Sequence, residues 1–300
     1  MKLRKFSDTK WLVSEIGIGC WAIGADWGNV NDEDARKTLI TGFDNGVNFF
    51  DTAECYANSE TLVGKVVKDR RQEYILATKC GHLIEPYGGD EYANWNKDGI
   101  QTSIERSLLR LQTDYVDLFQ VHVPPKTEKE FADVEKAFDD IKSEGKARHC
   151  GISVGIRYEQ GKEIIKRKLA DSIQIYFSLI DQKPLKELLP LAKKNNIGVI
   201  IAEPLAQGLL TNKYKIGHTF PKNDLRSNGY SKQLLEKKLK RVKQFNFLIK
   251  KSPDPRVIFN RMEELMKNYS DRALLSIRKI SDCEAKNNLE NLVMFTRTTV

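Results

Sequence analysis

The chain has 300 residues, 49 of them Lys or Arg against 41 Asp or Glu, for a formal net charge of +8; 40% are hydrophobic and 30% charged. With a mean hydropathy of −0.48, that composition excludes collagen-like, disulfide-scaffold and polytopic membrane classes. A chain of this length buries most of its unfolded surface without a disulfide or metal staple, and length alone fits two domains or one large α/β barrel.

No run of 18 apolar residues exists, and Met1 to Val13 alternates polar and apolar residues without a signal-peptide core, so the expected compartment is the cytoplasm and no membrane partner is expected. The five cysteines, Cys20, Cys55, Cys80, Cys150 and Cys283, stand singly. That spacing points to free, mostly buried thiols, with no metal site and no dithiol redox pair.

In chain order, Leu3–Phe6 and Trp11–Val13 read as a hairpin turning at Ser7-Asp8-Thr9, ahead of the first strand of a larger sheet whose bottom it is placed to plug. Short apolar runs then alternate with helical patterns. The expected strands are Ile16–Cys20, Val47–Asp51, Tyr74–Lys79, Tyr115–Val121, Arg148–Ser153, Ser172–Phe177 and Gly198–Ala202, each four to seven residues long and rich in Val, Ile, Phe and Tyr. Between them lie helices: one opening at Asp32-Glu33-Asp34 and stopping at Gly46, then Ser59 to Lys68, Ile100–Leu111, Glu128–Lys142, Arg157–Leu169 and Leu185–Asn195. Pro190 in the last demands a kink or a displaced start. Repeated β-then-α units imply a parallel sheet with right-handed crossovers, and seven strands with room for an eighth favour a closed (β/α)8 TIM barrel spanning residues 1–300.

After residue 212 the pattern changes. Asn223 to Asp254 is polar and lysine-rich, and the eighth strand, due near residues 272–283, has no clean Val/Ile run. Lysines and arginines crowd Lys232 to Lys251, which reads as a solvated helix face; an anionic partner is the alternative, and no nucleic-acid partner is expected.

In a barrel, chemistry sits at the C-terminal ends of the strands. Read there, the chain offers Asp51, Tyr56 in the next loop, Lys79 and His122. Each alone has an ordinary reading: Asp51 as a helix cap, Tyr56 as packing, His122 as a structural histidine. Lys79 does not, because a lysine within an apolar strand is costly unless paired. Together they suit carbonyl reduction. A lysine ammonium near a tyrosine is expected to lower the phenol pKa from about 10, the aspartate to hold the lysine, and the histidine to orient the carbonyl. Hydride must come from a cofactor. Trp21, Trp27 and Trp95 lie in loops at the same rim, either as an apolar substrate wall or simply packing those loops down. His82, His149 and His218 have no such company.

These residues and their surroundings resemble the aldo-keto reductase family. The motifs are Gly17-Ile18-Gly19-Cys20-Trp21-Ala22-Ile23-Gly24, Gly46 to Tyr56, Ser59-Glu60, Ala77-Thr78-Lys79, Asp114-Tyr115-Val116-Asp117-Leu118, His122, Gly145-Lys146-Ala147-Arg148 with Gly151-Ile152-Ser153, and Pro204 to Leu210. The resemblance runs in order over residues 1–227; 228–300 is divergent. It implies an NADPH-dependent reduction of an aldehyde or ketone to an alcohol, with Tyr56 as general acid, Lys79 and Asp51 as its tuning pair, and His122 positioning the carbonyl of a small-molecule substrate. It also implies that Ser153 and Gln174 hold the nicotinamide carboxamide and that Leu205, Gln207 and Gly208 cover the pyrophosphate. The family's stacking tyrosine is replaced here by Ala202, followed by Glu203.

The adenosine site departs from the family. Its Ile-Pro-Gly strand end is missing, and the best match is Ala285-Lys286-Asn287, where Lys286 would meet a 2′-phosphate and Asn291 adenine. The resemblance implies NADP as the cofactor, with NAD as the alternative that the missing motif leaves open. A nicotinamide-binding regulatory subunit, or a weakly active relic with an altered adenosine site, remains the competing reading. The substrate and the oligomeric state are not legible.

Overall fold

The computed structural model describes residues 1–24, 30–81, 96–211 and 213–245. They fall into two compact units. The first comprises Met1–Phe177, Leu191–Pro204 and Thr219–Ser231; the second comprises Ser178–Pro190, Leu205–His218 and the chain from Lys232.

The first unit opens with the antiparallel hairpin β1 (Leu3–Lys5) and β2 (Leu12–Ser14). Ser7, at φ 53°, turns the chain between them. Seven parallel strands come next in sequential order: β3 (Ile18–Gly19), β4 (Phe49–Asp51), β5 (Ile75–Cys80), β6 (Val116–Val121), β7 (Ala147–Gly155), β8 (Ser172–Tyr176) and β9 (Gly198–Ala202). The strand after β9 that would complete the (β/α)8 barrel is expected at residues 272–283, outside the described residues.

The crossovers are α1 (Asp32–Asp44), α2 (Ser59–Val67), α3 (Lys97–Leu111), α4 (Glu128–Ser143), α5 (Tyr158–Arg167) and α6 (Leu188–Lys194). Their starts follow from local chemistry. Asn31 and Asn96 cap α1 and α3, and Thr127 with Glu130 closes a capping box on α4. The expected helix over Leu185–Asn195 begins later, at Leu188, after a 3-10 turn at Lys183–Leu185. Pro190 thereby falls in the first turn, where its missing N–H has no intrahelical acceptor to lose.

The sheet curls into a barrel. Asp51 of β4 and Gln174 of β8 are four strands apart, about 19 Å on a flat sheet at 4.8 Å per strand, yet their side chains hydrogen-bond at 3.1 Å. Successive residues alternate inward and outward, and the inward residues form layers. The lowest is apolar: Val13, Phe49, Ile75, Ala77 and Leu118, joined by Phe6, Trp11 and Ile200. The hairpin thus closes the barrel floor, as its sequence implied. Phe6 lies against Gly198, where an added Cβ would meet the Phe6 ring at 2.5 Å. Above this layer Lys79 pairs in register with Gln120, Gln120 with Gly151, and Gly151 with Ser172. Higher still, Ser153 pairs with Gln174.

The short helix α7 (Arg226–Gly229) also belongs to the first unit. The second unit includes α8 (Lys232–Lys243), whose Leu235, Leu239 and Val242 are buried at helical spacing while its lysines face outward. Among the described residues no helix is long and apolar enough to cross a membrane.

Candidate active site

The loop after β4 is pinned from several sides. The Tyr56 N–H donates to the Ala53 carbonyl at 3.1 Å and the Ser59 N–H to the Tyr56 carbonyl at 2.9 Å. Ser59 Oγ donates to the Cys20 carbonyl at 2.8 Å and lies 2.9 Å from Thr52 Oγ1. An added Cβ on Gly24 would collide with the Tyr56 carbonyl, so a glycine is needed where the two segments touch. The buried Glu54 and Glu60 tie this region to α3 through Arg106 and Arg110.

These constraints set Tyr56 over the barrel mouth. Lys79, 0% exposed, reaches up from β5. Its Nζ donates to Asp51 Oδ2 at 2.6 Å, to the Thr52 carbonyl at 2.9 Å and to the Tyr56 hydroxyl at 3.5 Å. The His122 N–H donates to the Cys80 carbonyl at 2.8 Å, which holds this residue just beyond β6. His122 Nε2 lies 3.4 Å from the Tyr56 hydroxyl, and Nδ1 lies 3.4 Å from Cys55 Sγ. Trp21 stacks on Tyr56 with ring centroids 5.7 Å apart and planes 19° apart. The structure therefore brings Asp51, Tyr56, Lys79, His122 and Trp21 together.

One electrostatic expectation is reversed. The lysine is expected, from charge alone, to pull the Tyr56 phenol below its ordinary value. Instead burial, and after it the anionic charge of Asp51, raise that phenol well above its ordinary value. The ammonium is shared among Asp51, a backbone carbonyl and Tyr56, so it does not offset desolvation of a phenolate. Tyr56 is thereby held in its neutral, protonated form.

Ser153 and Gln174 lie side by side, both under a tenth exposed, near the C-terminal ends of β7 and β8. Gln174 Nε2 donates to Asp51 Oδ2 at 3.1 Å, so its Oε1 is the end that can accept from a ligand. Leu205, Gln207 and Gly208 belong to the second unit. There the Gly208 N–H donates to the Leu205 carbonyl at 3.1 Å, and Ala206, Gln207 and Gly208 all have positive φ. With Glu203, also positive, three non-glycine residues in one short segment adopt the left-handed region, a strain that collects at ligand-holding loops. Trp27, Trp95, Lys286 and Asn291 lie outside the described residues.

Two neighbours of the site escaped the sequence reading. Gln120 is fully buried and donates to Asp51 Oδ1 at 3.1 Å. Its signal was present: a glutamine in an apolar strand, two residues before His122 and so on the same face. Cys55, against His122, had none beyond adjacency to Tyr56. Cys20, Cys80 and Cys150 are buried free thiols, each pushed up chiefly by desolvation.

Comparison with known proteins bears on the family and the fold. The family model "Aldo/keto reductase family" matches residues 15–256. The aldo-keto reductase YhdN of Bacillus subtilis is 32% identical over 299 residues, covering 96% of this chain and 88% of that protein. The NADH-specific methylglyoxal reductase of Escherichia coli is 34% identical over 228 residues, covering 70% and 69%. Among solved structures, a glycerol dehydrogenase of Gluconobacter oxydans superposes with a TM-score of 0.71 at 30% identity, covering 88% of this chain and 82% of that one. A family match over four fifths of the chain, and relatives that share its fold, leave one conclusion: the chain belongs to the aldo/keto reductase family of NAD(P)H-dependent oxidoreductases.

Proposed function

We propose that this protein reduces an aldehyde or ketone to the corresponding alcohol with NADPH, with Tyr56 as the proton donor. The observation that carries the reading is the fully buried Lys79, its Nζ 2.6 Å from Asp51 and 3.5 Å from the Tyr56 hydroxyl. A structural ion pair has no need of a phenol placed against its ammonium at a barrel mouth.

A nicotinamide dinucleotide held at the barrel mouth would supply the hydride. Tyr56 delivers its hydroxyl proton to the carbonyl oxygen as that oxygen gains charge. Lys79 stabilises the phenolate left behind, and Asp51 keeps the ammonium in place. His122 Nε2, beside the same hydroxyl, hydrogen-bonds the carbonyl oxygen and sets its direction. Trp21 forms an apolar wall beside Tyr56. By resemblance, Ser153 and Gln174 would hold the nicotinamide carboxamide, Leu205, Gln207 and Gly208 would cover the pyrophosphate, and Lys286 and Asn291 would meet the 2′-phosphate and adenine. The Escherichia coli relative is named for NADH, so the choice between dinucleotides is part of the test.

The test is steady-state reduction across a panel of small aldehydes and ketones, with Tyr56→Phe as control. The variant is expected to lose at least about 100-fold in kcat while binding cofactor as the parent does. Unchanged turnover in Tyr56→Phe overturns the assignment. Tighter binding of NADH than NADPH overturns the choice of dinucleotide.

A further inference from the structure

Within the barrel, Gln120 is a polar side chain that the proposed reaction leaves unused. It is fully buried, adjacent in register to Lys79 on one side and Gly151 on the other. Its contact with Asp51 Oδ1 fixes the amide's orientation, because an ionised carboxylate only accepts and must therefore face Nε2. The other end, Oε1, is buried without a hydrogen-bond partner among the described residues, as is Ser172 Oγ across Gly151. An orphaned buried acceptor is destabilising, and a methionine would fill similar space without one. The Nε2 end of Gln120 serves Asp51.

The three donors on Asp51 divide its oxygens. Oδ2 takes Lys79 at 2.6 Å and Gln174 at 3.1 Å; Oδ1 takes Gln120 at 3.1 Å. Without a donor on Oδ1, the carboxylate can turn about its own axis and draw the ammonium away from Tyr56. We infer that Gln120 is a positioning residue for the reduction, fixing the Asp51 carboxylate so that the Lys79 ammonium stays against the Tyr56 hydroxyl. The inference rests on the reading of Tyr56 as the proton donor.

The test compares the full-length parent with Gln120→Met and Gln120→Glu. The charged and titratable groups facing Asp51 are Lys79, Tyr56 and Cys20; those facing Tyr56 are Asp51, Lys79, Cys55, His122, Tyr176 and Cys20, and none is altered. Gln120→Met is expected to lower kcat about 10-fold, the loss of one hydrogen bond to a charged group, with nicotinamide affinity unchanged. In an ultraviolet titration, the phenol signal that disappears on adding Tyr56→Phe should move from its position in the parent. Gln120→Glu should regain activity at low pH, where a protonated carboxyl can donate to Asp51, and lose it as that proton leaves. Parental kcat, pH profile and phenol titration in Gln120→Met overturn the inference. So does an equal loss in both variants at every pH accompanied by weakened cofactor binding, which would mark a purely structural role. If Gln120→Glu fails to fold, as a thermal melt would show, Gln120→Met decides alone. If the parent reduces no carbonyl, the functional reading fails, and the phenol titration still reports whether Gln120 controls Tyr56.

Discussion

Lys79 is an ammonium with no exposed surface, and its partners account for its presence in a strand of apolar neighbours. Replacing it with methionine leaves the buried Asp51 carboxylate without a cation. Lys79→Met is therefore expected to cost about 3 kcal/mol in denaturant unfolding and to reduce turnover at least about 100-fold. A variant as stable and active as the parent would remove the lysine from both roles. Because the Tyr56 phenol is raised above its ordinary value of about 10, its proton is retained as pH rises through the neutral and mildly alkaline range. The rate of carbonyl reduction should stay level past the pH at which a free tyrosine titrates, and fall only above it. A limb near neutrality that vanishes in Tyr56→Phe would contradict this. Asp51, Tyr56, Lys79 and His122 were legible because each is a polar residue at or just past the end of an apolar strand. The direction of the tyrosine shift was not, because charge can be counted from a sequence while desolvation cannot. Gln120 passed unnoticed because a single glutamine in a strand has no meaning until its facing residues are known.

The strands were legible as short runs of Val, Ile, Phe and Tyr, and all seven lie within two residues of where those runs place them. β3 is shorter than its run: pairing is confined to Ile18–Gly19, while Gly17 packs against Phe49 so closely that a Cβ there would meet its ring at 2.8 Å. The hairpin was legible from its alternation, and its role as a floor followed from its position before the first barrel strand. That role predicts a stability effect far from the chemistry. Phe6→Ala removes a ring that touches Trp11, Phe49 and Gly198 and should cost about 2–3 kcal/mol with kcat unaffected. A matching loss of kcat in folded protein would show that floor and mouth are coupled. Loops at the mouth carry no periodicity to read, and for that reason the tryptophans could be placed in them but not oriented.

At the scale of the whole molecule, a ligand that binds only the folded chain stabilises all of it. Saturation with NADPH at about 100 times its dissociation constant should add about 2.7 kcal/mol to the unfolding free energy, visible as a rise in thermal midpoint. NADH at the same concentration should give the smaller rise. No shift with either would mean that neither dinucleotide binds the folded chain. The departure from the family's pattern in residues 285–292 made the dinucleotide the least legible part of the function. The hairpin floor has a last consequence, for where solvent meets the chemistry. Phe6, Trp11 and Val13 pack at the base against Phe49, Ile75 and Leu118, and Lys79 above them has no exposed surface. An apolar layer carries no proton relay of its own, so on the proposed mechanism the proton that Tyr56 gives away is best replaced from the mouth, where the alcohol departs. Recharging the acid and clearing the product then become one traffic problem, and a bulky alcohol that lingers delays both.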